Sequence, residues 1–146
     1  MRAGHVPGAR GAGPGVAVGA PPSRLVAWRM IPGKGRGVVA MRDCPAGTEV
    51  ERAPVIPVPR AEVFRRPGAP TTLEQYLLAW EEGEPGRELA LGCGLLMVYN
   101  HSAEPNVELR DGPEPETMSV VTLRDVAEGE ELVYDYGVEL WFPARE

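Results

Sequence analysis

Three short segments hold side chains that could do chemistry. Asn100-His101-Ser102 sets an amide, an imidazole and a hydroxyl side by side, directly after the apolar run 88–99. A polar triplet leaving a buried run needs a partner for each donor and acceptor. The imidazole reads either as a satisfied core group or as a base. Glu130-Glu131-Leu132-Val133-Tyr134-Asp135-Tyr136-Gly137 alternates two phenols around an acid. On a strand, Tyr134 and Tyr136 share a face, so they either pack on the core or line a narrow slot. Gly33-Lys34-Gly35-Arg36-Gly37 spaces three glycines by two. It reads as a hairpin loop or as backbone that a ligand approaches closely. It is neither a GxGxxG fingerprint opening a helix nor a loop ending in Gly-Lys-Ser/Thr, so dinucleotide and P-loop sites are poor readings.

Metal chemistry has little to work with. Cys44 and Cys93 are the only cysteines, and neither His5 nor His101 has a cysteine two to four positions away. A zinc site usually needs four such ligands in paired spacings, so no metal is expected. Both cysteines read as small buried apolar residues with reduced thiols. The N-terminus lacks a continuous apolar run, and no stretch approaches the ~20 apolar residues of a membrane span. The expectation is an intracellular, cytoplasmic chain, nuclear if eukaryotic.

The elements that must position these segments are mostly short strands. Strands are expected over Leu25–Trp28, Val38–Met41 and Thr48–Glu51, and again over Val107–Arg110, Met118–Leu123 and Glu131–Tyr134. Residues 31–37 form the glycine loop. Residues 53–59 are expected to be extended, with Pro54, Pro57 and Pro59 forbidding both a helix and a central strand. A helix is expected from Thr71 to about Glu81: Thr71-x-x-Glu74 is a capping box, and Leu73, Tyr76, Leu77 and Trp80 fall on one helical face. Residues 88–99 read as a short irregular helix interrupted by Gly92 and Gly94. The sum is a mainly β fold of short strands and small sheets with one or two short helices.

The chain has 146 residues, 43% apolar and 25% charged, as expected of a single globular domain. Residues 1–23 contain six Gly and four Pro and are expected to be a disordered arm, with one domain over 24–146. The arm's only charges are Arg2 and Arg10, so the net charge of −6 becomes −8 outside it. An acidic body argues against direct nucleic-acid binding. It suits a basic, lysine-containing protein partner.

Taken together and in order, residues 33–40, 100–106 and 129–137 resemble the signature segments of SET-domain protein-lysine methyltransferases. The resemblance extends over about residues 25–142. The absence of cysteine clusters and the Pro-rich 55–59 stretch look most like the small stand-alone members, which lack zinc-binding flanking modules. It implies a SET-type fold with a C-terminal pseudoknot, a departure from the usual rule against threading. It also implies S-adenosylmethionine as cofactor. Gly33, Lys34, Gly35, Arg36, Gly37, Asn100, His101, Tyr136 and Trp141 would contact that cofactor. Tyr136 would be the catalytic tyrosine, while Tyr134, Leu109 and Phe142 would line the lysine slot. Two departures stand out. Ala103 replaces a cysteine that is a metal ligand in zinc-flanked members, and Leu109 stands where relatives often have an aromatic.

The chemistry suits these residues. Methyl transfer from a sulfonium to an amine is an in-line displacement in which alignment supplies much of the acceleration. It needs a neutral amine rather than a strong base, and the segments contain no obvious strong base. The expected activity is protein-lysine N-methylation by a monomer or homodimer, without membrane contact. A non-catalytic module of the same fold reading basic peptides is the alternative, and a β-rich structural protein is a third reading.

Overall fold

The computed structural model describes residues 23–63, 71–81 and 83–137. Residues 1–22 of the expected arm, and Trp141 and Phe142, lie outside the described residues.

The glycine-rich segment folds as a hairpin tighter than its sequence suggests. Strand β1 (Val26–Ile31) pairs antiparallel with β2 (Gly35–Ala40), from Val26 opposite Ala40 to Ile31 opposite Gly35. The expected seven-residue loop is thus a three-residue turn, closed by Lys34 N–H donating to the Ile31 carbonyl at 3.1 Å. Gly33 and Gly35 have φ of 77° and 85°, where a side chain would be strained. Gly35 to Gly37 already belong to the strand.

Strand β3 (Glu49–Val58) corrects the reading of its prolines. Two of them lie within a ten-residue strand in the middle of a five-stranded sheet. Its neighbours there are β5 (Leu89–Gly92) and β8 (Thr117–Thr122). The prolines are tolerated because β3 pairs on one side at a time. Glu49 to Pro54 pair with β8, and Val55 to Val58 with β5. Val55 donates its N–H to the Glu116 carbonyl on the β8 side. Backbone donors alternate sides along a strand, so the Pro54 nitrogen faces away from β8. The Pro57 nitrogen faces the side that β8 has already left.

The two expected helices between residues 71 and 99 do not form. The capping box is present: Glu74 N–H donates to Thr71 Oγ1, and Thr71 N–H to Glu74 Oε2, both at 3.3 Å. It caps only one 3-10 turn, Glu74–Tyr76. Beyond it the chain extends as β4 (Leu78–Ala79), which pairs with β5, and Trp80 N–H donates to the Glu88 carbonyl. The backbone groups a helix would have paired locally are taken by a hairpin instead. Residues 88–99 accordingly supply β5 and then a run of turns over 94–98. A four-residue helix, α1 (Arg60–Val63), follows β3.

The three later strands fall where expected, and a two-residue strand that the sequence reading did not foresee joins them. β7 (Val107–Asp111) borders β8, completing the order β4-β5-β3-β8-β7. In the second sheet, of order β1-β2-β9-β6, β9 (Glu131–Tyr134) lies between β2 and the two-residue β6 (Asn100–His101). β6 joins β9 in parallel, Asn100 opposite Val133 and His101 opposite Tyr134. This pairing brings together the two segments whose crossing the resemblance implies. Val38, Val50, Leu96, Tyr99, Val107, Val120 and Leu132 are buried in one core shared by both sheets. No described helix is long and apolar enough to cross a membrane.

Candidate active site

The junction of β6, β9 and β2 is held by side chains from the signature segments. Asn106, fully buried, donates through Nδ2 to the Glu131 carbonyl at 2.7 Å and accepts the Val133 N–H at 2.8 Å. It serves β9 as a backbone partner would. Asn100 Nδ2 donates to the Arg36 carbonyl at 3.0 Å and to Glu131 Oε1 at 2.7 Å, tying β6 to β2 and β9. The other Glu131 oxygen pairs with the Lys34 ammonium at 3.3 Å. Beneath this knot lies Gly37. A Cβ there would sit 2.6 Å from Ile31 Cγ1, 2.7 Å from Glu131 Oε1 and 2.8 Å from Asn100 Nδ2.

Beyond β9 the two phenols converge. The Tyr134 and Tyr136 rings have centroids 4.7 Å apart, tilted by 43°. Tyr136 lies past the end of the strand, so strand alternation alone does not place it. Its N–H donates to His101 Nδ1 at 3.1 Å, and the His101 ring meets its ring edge-on at 5.2 Å. An accepting Nδ1 puts the proton of the neutral imidazole on Nε2. The Tyr136 hydroxyl donates to the Tyr99 carbonyl at 2.7 Å. Burial pushes both phenols above the usual tyrosine range, with the neighbouring phenol of Tyr136 adding to the effect on Tyr134. They therefore stay protonated at neutral pH.

These groups border a cleft of about 1370 Å³. Lys34, Gly35, Arg36 and Asn100 line it, and so do Leu109, Tyr134 and Tyr136. Gly33, Gly37 and His101 do not: the first shapes the turn, the second packs under the Asn100 knot, and the third holds Tyr136 from behind. Sequence reasoning missed four neighbours. Tyr76 lines the cleft, Glu131 anchors Lys34 and Asn100, Tyr99 receives the Tyr136 hydroxyl, and Glu51 bonds the Tyr99 phenol at 2.8 Å. Glu131 lies inside a quoted motif and Tyr99 adjoins one, which was the available signal. Glu51 had none. Among the described residues no three His, Cys, Asp or Glu side chains gather as a metal site.

The lining fits a ligand with a carboxylate, a sulfonium and an apolar body. Lys34 and Arg36 supply positive charge, and Asn100 an amide. The Tyr134 and Tyr136 rings supply the π faces that attract a cation. Glu74, Glu108 and Asp135 add negative charge suited to a basic peptide.

Comparisons with known proteins point to one family. The family model for the SET domain matches residues 35–137. The histone-lysine N-methyltransferase specific for H3 lysine-37 of Schizosaccharomyces pombe is 39% identical over 109 residues, covering 75% of this chain and 71% of that protein. A Plasmodium falciparum structure described as that of a histone methyltransferase superposes with a TM-score of 0.59. It covers 84% of this chain at 20% identity and 100% of its own, a likeness of fold.

Proposed function

This chain belongs to the SET-domain family of protein-lysine methyltransferases, and on that premise we propose that it transfers a methyl group from S-adenosylmethionine to the side-chain amine of a histone lysine. The observation that carries the reading is the meeting of β6 with β9, which gathers Asn100, Tyr134 and Tyr136 at one cleft. The identity to a histone-lysine methyltransferase supports a histone as substrate. The chain's net charge of −6 suits a basic tail. A eukaryotic host would place the work in the nucleus.

Lys34, Gly35, Arg36 and Asn100 would hold the cofactor, which when bound supplies an electrophilic methyl on a positively charged sulfur. The chain's own residues then have three tasks. First, Tyr134 and Leu109 form walls around the target side chain and exclude water. Only about one free lysine amine in 2,500 is neutral at pH 7 for a pKa of ~10.4, and an apolar slot raises that fraction. Second, Tyr136 orients. Its proton is committed to the Tyr99 carbonyl, so its oxygen faces the cleft as an acceptor, a preorganised dipole beside developing positive charge. Third, His101 and Asn100 fix Tyr136 and the glycine hairpin against each other. Neither phenol removes the amine's proton, because both are held protonated.

The test is transfer of labelled methyl from S-adenosylmethionine to recombinant histones and to a panel of other basic proteins. Label on a histone lysine supports the reading. Uptake of cofactor or peptide without transfer would mean a non-catalytic module.

A further inference from the structure

Glu51 is an acid buried in β3 at 6% exposure, and it does not line the cleft. Both its oxygens are committed as acceptors. Oε1 takes the Leu95 N–H at 2.7 Å, and Oε2 takes the Tyr99 hydroxyl at 2.8 Å. Gly94, with φ of 62°, lies so close that a Cβ there would collide with Oε1. Tyr99 is 2% exposed, and its own carbonyl accepts the Tyr136 hydroxyl at 2.7 Å. One line of contacts therefore runs from a buried carboxylate through the Tyr99 phenol and backbone to the hydroxyl in the cleft.

Taking a carboxylate out of water is unfavourable, and burial pushes Glu51 above the usual carboxylate range. An apolar side chain would fill the same space without that penalty. What it would not do is hold residues 95 and 99 at fixed distances from β3. Packing alone lets a ring slide in depth, whereas a hydrogen bond to a charged acceptor sets both distance and direction. The Tyr99 phenol remains a donor, because burial and the adjacent carboxylate both push it far above the usual tyrosine range.

We propose that Glu51 is a positioning residue for Tyr136: by clamping the 94–99 turn through Leu95 and Tyr99, it sets where the Tyr99 carbonyl holds the Tyr136 hydroxyl. The kinetic consequence rests on the methyl-transfer reading above; the geometric one does not.

Two measurements test it. The first is a double-mutant cycle on turnover. Glu51→Leu removes both bonds and is expected to lower kcat by roughly tenfold or more with KM little changed, in line with the sensitivity of oriented reactions to small misplacements. Glu51→Gln accepts from Leu95 and donates to the Tyr99 oxygen, so it should restore most of that loss. In the Tyr136→Phe background, where the hydroxyl is gone, Glu51→Leu should change the residual turnover by less than about twofold. Equal losses in both backgrounds would mean a merely structural role and overturn the proposal. If Glu51→Leu does not fold, Tyr99→Phe breaks the same line while keeping the ring. The second measurement is the chemical shift of the Tyr136 ζ-carbon in protein carrying ¹³C-labelled tyrosine. It should move in Glu51→Leu and in Tyr99→Phe, and an unmoved signal overturns the proposal whatever the activity. A signal that moves in these variants, in a protein whose wild type transfers no methyl, would sink the methyltransferase reading and leave the positioning role standing.

Discussion

The Tyr136 hydroxyl donates a hydrogen bond to the Tyr99 carbonyl, 37 residues earlier in the chain, at 2.7 Å. A phenol so engaged is neither a free donor nor a base. Its oxygen is an acceptor of fixed direction at the wall of the cleft.

Tyr136→Phe should therefore lower kcat for methyl transfer by about 10²-fold, the scale of one lost preorganised dipole. Cofactor affinity, measured by calorimetry, should change little, because the interaction matters mainly in the transition state. Full retained activity would place the catalytic role elsewhere.

Tyr134 has its ring against Tyr136 at 4.7 Å between centroids. A hydroxyl there can hold a water beside the target amine, and displacing that water without replacing its bonds is unfavourable. The wild type is expected to favour one methyl per lysine, and Tyr134→Phe to shift products toward two or three. Mass spectrometry of a methylated peptide reads this directly. An unchanged distribution would leave Tyr134 as packing.

Gly37 has no room for a side chain beneath the Asn100–Glu131 bond. Gly37→Ala should cost about 1–3 kcal/mol in urea unfolding, the usual scale of overpacking. It should also weaken S-adenosylmethionine binding by pushing Asn100 off the Arg36 carbonyl. Calorimetry with NAD as a control should show no heat for either protein.

Stability should depend on pH with two opposite contributions. The Arg124 guanidinium, with Ala127 N–H and Asn106, holds the Glu130 carboxyl below its usual range. A depressed acid stabilises the fold above its unfolded pKa, and that stability is lost as pH falls through the folded value. Glu130→Gln should therefore flatten the acid side of a plot of urea midpoint against pH. Glu51 has the reverse sign. Its raised pKa means the folded state disfavours the charged form, a penalty relieved as pH falls through the raised value. Relative to Glu51→Gln, the wild type should gain stability over that window.

The sequence alone determined the three signature segments, the late strands β7, β8 and β9, and the mainly β character. Those features rest on alternation and turn chemistry within a few residues. The capping box at Thr71 and Glu74 was legible for the same reason, and it formed. The helix it announced did not, because Leu78 and Ala79 found partners in β5. A pattern of spacing cannot register a competing strand elsewhere in the chain. Pro54 and Pro57 entered a central strand for a similar reason: which side of β3 is paired at each residue is decided by β5 and β8. The candidate site divides the same way. Tyr134, Tyr136, Asn100 and His101 announce themselves by type and order. Glu51, Glu131 and Tyr99 gain their parts from bonds across 48, 31 and 37 residues of chain. Only the folded chain brings such groups within 3 Å, because those bonds form when the two sheets close on a common core, and nothing local in the sequence requires them.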